Sequence, residues 1–166
     1  MERIKCMERI DKILNNKLFL YHLNKNNMAE ADRRFCHHNI THFLDVARIG
    51  MILNLEEELF ISKEWIYAAA LLHDIGKYMQ YEEGIPHEEA SARLAPEILQ
   101  ECGFKKEEIT VIVDAIQGHR EDTSAALKNL KGILYRADKA SRACFACKAQ
   151  ADCNWKADKK NLQIKY

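Results

Sequence analysis

The feature that most constrains this chain is the recurrence of apolar residues three and four positions apart along nearly its whole length. That spacing places them on one face of a helix, and the alternation typical of strands is absent. Residues that end or bend helices are scarce, since only 6 glycines and 2 prolines occur among 166 residues. The sequence therefore predicts an all-α fold of about six to eight helices.

The periodic segments and the residues between them set the expected helix boundaries. Asn26-Asn27 is expected to form a polar turn, Ser62 to cap a helix, and Gly84 and Gly103 to end helices. Pro96 lies inside a periodic segment and is expected to kink or split that helix. Helices are predicted at 3–14, 17–25, 39–55, 63–82, 87–102, 105–119 and 125–143.

Length and charge limit the classes of protein to which this chain can belong. The length of 166 residues suits a single domain, 1–166, with its own hydrophobic core. Its 25 basic and 25 acidic residues cancel, which argues against general nucleic-acid binding and against binding to anionic membranes. No run of 18 apolar residues predicts a membrane span, and the first residues lack the apolar centre of a signal peptide. A cytoplasmic location is therefore expected.

Histidine and aspartate side chains recur on the apolar stripes of five predicted helical segments. A single histidine in such a place is more often a hydrogen-bonded core residue, and an aspartate near a helix end is commonly a cap or an ion-pair partner. Their coincidence in five segments favours one or two shared divalent cations, because an isolated buried carboxylate is costly. The residues are His42, His73, Asp74, His87, His119 and Asp138.

The segment LLHDIGK, residues 71–77, resembles the signature of the HD superfamily of metal-dependent phosphohydrolases. The superfamily order H…HD…H…H…D is present as well. The other similar segments are HFLDVARI (42–49), HEEASARLAPEIL (87–99), IQGHR (116–120) and YRADKASR (135–142).

This resemblance implies a compact helical bundle with an HD metal-binding core at residues 38–142. An N-terminal helical segment, 1–37, would precede the core, and a cysteine-rich tail, 143–166, would follow it. Having both extra histidines is similar to the binuclear branches, which include dinucleoside tetraphosphate hydrolases and cyclic-dinucleotide phosphodiesterases. Beyond HDIGK, the signature of the cyclic-dinucleotide branch is not evident.

The resemblance also implies a ligand set. His38 competes with His42 for the first position, and His42 is preferred because the family-like FLDVAR follows it. Mixed histidine and carboxylate ligands suit iron, manganese, zinc or cobalt better than magnesium or calcium. A first ion would be held by His42, His73, Asp74 and Asp138, and a second by His87 and His119 with Asp74 bridging.

The activity implied is hydrolysis of a nucleotide or another small phosphate ester by metal-activated hydroxide. Asp74 and Lys77 are the candidate catalytic residues, and Arg120, Lys139 and Arg142 are weaker candidates for contacts with substrate phosphate. Two other functions remain open. Some HD-fold proteins activate dioxygen at a diiron site, and a closed site would instead suit a non-enzymatic, metal-stabilised binding or sensing module.

The tail carries three cysteines in the spacing Cys-x2-Cys-x5-Cys: Cys144, Cys147 and Cys153. In a reducing compartment this spacing favours a metal over disulfides, and Cys36 is the best fourth ligand. A structural zinc ion or an iron–sulfur cluster would fit four thiolates. The alternative is that free cysteines act as small hydrophobic residues, as expected for Cys6 and Cys102.

Overall fold

The computed structural model describes residues 6–166, in which the all-α prediction is confirmed. Four short 3-10 helices follow α7 and α8, at Asp122–Ala126, Cys144–Ala146, Gln150–Asp152 and Ala157–Lys159. The described α-helices are α1 (Glu8–Leu14), α2 (Lys17–Ala29), α3 (Ile40–Glu56), α4 (Lys63–Leu72), α5 (Lys77–Glu83), α6 (His87–Glu101), α7 (Lys106–Gly118) and α8 (Leu130–Ala140).

The core forms where α4 meets its neighbours. Helix α4 packs against α1, α3, α7 and α8, α3 also packs against α8, and α6 lies between α5 and α7. Its buried face is rich in alanine, so that neighbouring helices come close. Large apolar side chains from the surrounding helices fill the remaining space and include Phe19, Phe43, Ile98, Leu99, Ile112 and Ile116.

The prediction of one helix over 63–82 is wrong, because a turn over residues 73–76 separates α4 from α5. Side chains from other helices satisfy the backbone of this turn. Asn26 Nδ2 donates to Asp74 O at 2.9 Å, and Gly76 N donates to Ser91 Oγ at 3.0 Å. Since these partners replace hydrogen bonds within a helix, the chain leaves the helical path while these two backbone groups stay paired.

The prediction of a turn at Asn26-Asn27 is also wrong, and again the cause is a hydrogen bond between elements distant in sequence. Helix α2 continues to Ala29, and Asn26 is fully buried within it. Its Oδ1 accepts a hydrogen bond from Tyr78 N at 2.8 Å, next to the bond that Nδ2 makes with Asp74 O. Asparagine favours turns when it bonds to its own backbone, but here it bonds to another helix.

Two further boundaries differ from the prediction. Helix α6 runs through Pro96 without the expected break, and the buried Ala95 and Ile98 keep this stretch against the core. The predicted helix 125–143 begins only at Leu130, where Asn129 Oδ1 accepts a hydrogen bond from Gly132 N and caps it.

The ends of the other elements agree more closely with the sequence. Gly84 ends α5 in the left-handed region, at φ 72°. Ser62 precedes α4, but its side chain makes no capping bond. Residues 3–5 of the first predicted helix lie outside the described residues. No helix in the range 6–166 is long and apolar enough to span a membrane.

Candidate metal centre

The structure brings the six ligand-type side chains predicted from the sequence together among α3, α4, α6, α7 and α8. They form two groups, within each of which the ligand atoms lie within 4.8 Å of one another. All six side chains are buried, and Asp74 belongs to both groups. The first group is His42, His73, Asp74 and Asp138, and the second is Asp74, His87 and His119.

Each carboxylate oxygen of Asp74 faces its own pair of histidines. Oδ2 lies 3.1 Å from His73 Nε2 and 3.6 Å from His42 Nε2. Oδ1 lies 3.2 Å from His87 Nε2 and 3.5 Å from His119 Nε2. Two donors on one ion, each about 2.1 Å from it, lie roughly 3.0–3.4 Å apart. The spacing therefore fits an ion on either side of the Asp74 carboxylate.

Asp138 closes the first group from α8. Its Oδ1 lies 3.4 Å from His42 Nε2 and 3.7 Å from His73 Nε2. Both histidines thus stand between two carboxylates, one from the α4–α5 turn and one from α8. Asp138 has no comparable approach to the second group, which makes the two groups unequal in charge.

Hydrogen bonds at Nδ1 orient three of the four rings. His73 Nδ1 donates to Ala70 O at 2.8 Å, and His119 Nδ1 donates to Ile116 O at 2.6 Å. Because a carbonyl only accepts, these contacts make Nδ1 the donor and turn Nε2 toward the centre. His42 Nδ1 lies 3.2 Å from Ser141 Oγ, whose hydroxyl donates to Asp138 O and therefore accepts from the ring.

His87 differs from the other three. Its Nδ1 faces an acceptor, Gln80 Oε1, and a donor, Lys77 Nζ at 3.1 Å, so these contacts do not select a tautomer. Burial lowers the pKa of His87 to about 3. The ring is therefore neutral at pH 7, which is the form of histidine that binds metals.

An unsatisfied atom shows that this arrangement suits a cation. Asp74 Oδ1 is buried and has no hydrogen-bond partner among residues 6–166. The neighbouring His119 donates from Nδ1 to a carbonyl, so in the tautomer with its proton on Nδ1 a lone pair on Nε2 faces that oxygen. Two facing acceptors repel each other unless a cation lies between them. The chemistry of this donor set thus fits a divalent metal.

The carboxylates also control the charge of His73. Burial lowers the pKa of His73, but Asp74 and Asp138 outweigh burial and raise it to about 10. Burial likewise opposes ionisation of Asp74, yet His73 and His38 hold the pKa of this carboxyl well below its usual range. Without an ion, a proton therefore balances the carboxylates, and a bound metal would displace it.

A close backbone contact fixes the turn that carries His73 and Asp74. A Cβ at Gly76 would lie 2.8 Å from Ala90 Cβ and 2.8 Å from Ser91 N. Only glycine lets the turn approach α6 this closely. Because His87 begins α6, this contact helps to hold His87 close to Asp74.

The centre forms the floor of a cavity of about 990 Å³. His42, Asp74, His87 and Asp138 line it, so the side chains of both groups are reached from one opening. The candidate phosphate-binding side chains line the same cavity. They are Lys77, Arg120, Lys139 and Arg142.

Comparison with known proteins identifies this architecture. The sequence pattern of the HD domain family matches residues 39–143, which is more than half of the chain. The chain belongs to the HD domain family. All six residues of the two groups lie within the matched region.

Two other proteins are similar to this HD domain protein over most of its length. An uncharacterised protein of Clostridium beijerinckii is 49% identical over 160 residues, which cover 96% of this chain and all of that protein. The crystal structure of a predicted HD superfamily hydrolase from an uncultured Thermotogales bacterium superposes with a TM-score of 0.61 at 24% identity. That match covers 86% of this chain and 81% of the other, and it shows a shared fold.

Two positively charged side chains contact residues of the candidate HD metal site. Arg142 Nη2 lies 3.2 Å from His42 Nε2 and 3.3 Å from Asp138 Oδ1. Lys139 Nζ donates to Asp138 Oδ2 at 2.7 Å. Arg142 is buried. These cations offset the negative charge of Asp138 at the edge of the cavity.

His38 lies outside both groups but beside them. Its Nδ1 donates to the Glu30 carboxylate, which also accepts from Tyr81 Oη at 2.7 Å. Its Nε2 lies 3.8 Å from Asp74 Oδ2. The structure thus places His42 in the first group and holds His38 next to it.

The four cysteines of the predicted second site, Cys36, Cys144, Cys147 and Cys153, all line the cavity of the HD centre. Three of them are half-buried, and Cys36 is exposed. Within residues 6–166, no three cysteine sulfurs lie within 4.8 Å of one another. The cysteine metal site therefore stays a prediction.

Sequence reasoning missed the side chains that hold the ligands and the neighbouring His38 in place. Asn26, Glu30, Gln80 and Ser141 act through hydrogen bonds from separate elements. Only Ser141 carried a usable signal, because it lies three residues after Asp138 and thus on the same side of α8. Asn26 bonds to a residue 48 positions away, whereas Gln80 and Glu30 bond across the turns that end their own helices.

Proposed function

We propose that this HD domain protein is a metal-dependent phosphohydrolase that acts on a nucleotide or another small phosphate ester. The observation that carries the proposal is the position of the histidine–aspartate cluster at the floor of a cavity with a cationic rim. Negatively charged phosphate suits this rim, and divalent cations suit the floor.

The roles of the ligands follow from their distances. His42, His73, Asp74 and Asp138 would hold one ion, and His87, His119 and Asp74 would hold another. A divalent transition metal, when bound, lowers the pKa of water and neutralises charge on a phosphoryl group. The unpaired Oδ1 of Asp74, which faces His87 and His119, supports the second position.

The chain's own side chains would bind and orient the substrate. Lys77 and Arg142 are buried beside the two groups, where their charges are weakly screened. Arg120 and Lys139 stand farther out on the rim. Hydrolysis forms a bond between a water oxygen and phosphorus and breaks the bond from phosphorus to the leaving oxygen, which takes a water proton.

The proposal is tested by elemental analysis of anaerobically purified protein, followed by assays on phosphate esters. The protein is loaded separately with iron, manganese, zinc and cobalt. Wild type is expected to hold one or two ions and to release phosphate. His73→Ala is expected to lose metal and turnover, whereas His22→Ala, which removes a buried histidine outside both groups and away from the cavity, is the matched control.

Each other outcome points elsewhere. Wild type that takes up no metal would overturn the proposal. Metal uptake with oxygen consumption and no phosphate release would favour the diiron oxygenase. Bound metal with no turnover on any phosphate ester or oxygen substrate would favour a binding or sensing module.

We further propose that the cysteines hold a separate metal ion, on the basis of their spacing and their shared cavity. Cys147→Ala would then lose one ion while keeping those of the histidine–aspartate cluster. Cys102→Ala, which removes a cysteine remote from the cavity, serves as the control. Equal metal content in wild type and Cys147→Ala would reject the cysteine site.

A further inference from the structure

The cavity above the metal centre extends beyond the region that matches the HD domain family. Half of its lining residues lie outside residues 39–143. They belong to the segment before α3, residues 33–38, and to the tail, residues 144–160. We call this part of the cavity the tail wall. The tail wall is therefore a feature of this chain in addition to its family core.

The tail wall is cationic. Among the described residues that line it, five are basic and none is acidic. In the family-matching half of the cavity, by contrast, four aspartates accompany the basic side chains. A wall of one sign in a concave site concentrates anions. The five basic residues are Arg33, Arg34, Lys156, Lys159 and Lys160.

Internal contacts engage some of these charges and leave others free. Arg34 pairs with Asp152 at 2.7 Å, Arg33 Nε donates to Cys36 O at 2.9 Å, and Lys160 Nζ donates to Gln150 O at 2.9 Å. Lys156 and Lys159 are exposed and form no ion pair with any residue in 6–166. Their ammonium groups remain available to an anion that enters the cavity.

A flat aromatic surface lies beside these lysines. Trp155 is half-buried and lines the cavity directly before Lys156. Indole rings stack with planar bases of any identity, because each base has a π face. An aromatic ring next to free ammonium groups suits a ligand with a flat ring joined to an anionic chain.

The tail wall is fixed in position relative to the metal centre. Asn161 Nδ2 donates to Lys139 O at 2.7 Å and to Arg142 O at 2.9 Å, and Phe145 N donates to Asn161 O at 2.9 Å. These bonds attach the tail to the end of α8, which carries Asp138. A ligand that spans the cavity would thus meet both surfaces in a defined arrangement.

We infer that the tail wall is a subsite for the remote part of a nucleoside oligophosphate whose reacting phosphate lies at the histidine–aspartate cluster. The inference rests on the proposed function only where it places the reacting phosphate at the histidine–aspartate cluster. Trp155 stacks on the base, and Lys156 and Lys159 bind phosphates that do not react. A single phosphate or a small ester reaches the floor of the cavity without touching this subsite.

The test measures binding directly by titration calorimetry of full-length protein with the non-hydrolysable analogue β,γ-methylene-ATP. Lys156→Gln combined with Lys159→Gln is expected to weaken its binding about tenfold, more at low salt than at high salt. Lys12→Gln combined with Lys17→Gln, two exposed lysines away from the cavity, is the matched control and leaves binding unchanged.

A second variant separates the base from the phosphates. Trp155→Leu is expected to weaken binding of the analogue about tenfold while leaving binding of tripolyphosphate unchanged. The lysine double variant is expected to weaken both ligands. An analogue that does not bind, or that binds the lysine double variant as tightly as wild type, overturns the inference. If tripolyphosphate binds wild type as tightly as the analogue does, the proposed stacking of the base on Trp155 is rejected.

Hydrolysis assays keep this inference separate from the proposed function. Binding of the analogue without hydrolysis of any phosphate ester would retain the subsite and reject the phosphohydrolase. Hydrolysis of p-nitrophenyl phosphate without binding of the analogue would retain the phosphohydrolase and reject the subsite.

Discussion

The metal centre and the tail wall border the same cavity but are built differently. Helices of the core and the turns at their ends hold the side chains of the centre, and backbone carbonyls or side chains orient three of its four histidines. The tail wall combines the segment 33–38 with short 3-10 helices of the tail, and Asn161 bonds the tail to the end of α8. The proposed reacting site is therefore built within the core, whereas the proposed recognition surface is attached to the core by a few hydrogen bonds.

The largest effect that tests this separation is expected at Asp74. Asp74→Asn removes the charge shared by both groups, so both ions should be lost and turnover should fall by more than about 100-fold. His119→Ala should lose only the second ion, and His42→Ala only the first. Elemental analysis of the three variants gives the stoichiometry. Full metal content in Asp74→Asn would refute a shared carboxylate.

The second effect concerns the rigidity of the centre. Gly76→Ala forces a methyl group against Ala90 and Ser91, and overpacking of this kind costs about 1–3 kcal/mol in the free energy of unfolding. Urea denaturation measures the change. Gly84→Asn is the control, because nothing lies near that Cβ and asparagine tolerates the left-handed conformation. Equal free energies of unfolding for both variants would show that α6 can shift away from the turn at little cost.

The third effect is local to the tail. Asn161→Ala removes the bonds to Lys139 O and Arg142 O and should weaken docking of the tail by about 1–3 kcal/mol. Hydrogen exchange of amides in 144–160 should accelerate, while metal content and global unfolding stay as in wild type. Loss of metal in this variant would contradict the separation, since it would tie the tail to the centre.

The smallest expected effect is on the pH dependence of stability, and it compares the attachment of the tail with the attachment of helix α1. Ion pairs attach helix α1 to the core, because Arg9 pairs with Glu64 and Glu108. Arg9 lowers the pKa of Glu108 from 4.5 to about 2, against an opposing effect of burial. Since the folded pKa is the lower one, this pair stabilises the fold above pH 4.5 and loses its effect as the pH falls toward 2.

Glu108→Gln should therefore reduce the difference in Tm between pH 5 and pH 3, compared with wild type. The contribution of Asn161 should not change over this range, because an amide does not titrate. Thermal melts of both variants at the two pH values measure the contrast. A Glu108→Gln variant with the acid sensitivity of wild type would show that Arg9 contributes nothing to it.

The sequence predicted the all-α fold and the six clustered residues because both depend on local pattern. Periodicity places a residue on the apolar face of its helix, and a ligand-type residue on that face is directed into the core. The turn at 73–76 escaped prediction because four residues barely disturb a periodicity read over a long segment. Its stability depends on Asn26 and Ser91, which are distant in sequence.

The sequence by itself determined which residues are buried together, since hydrophobic periodicity and the order of histidines and aspartates are properties of the chain. The tertiary structure decided which oxygen of Asp74 faces which histidines, and it buried Arg142 beside His42. It also placed Trp155 and the tail lysines on the wall of the cavity. These outcomes rest on distances of a few ångströms between segments far apart in sequence, which no local pattern encodes.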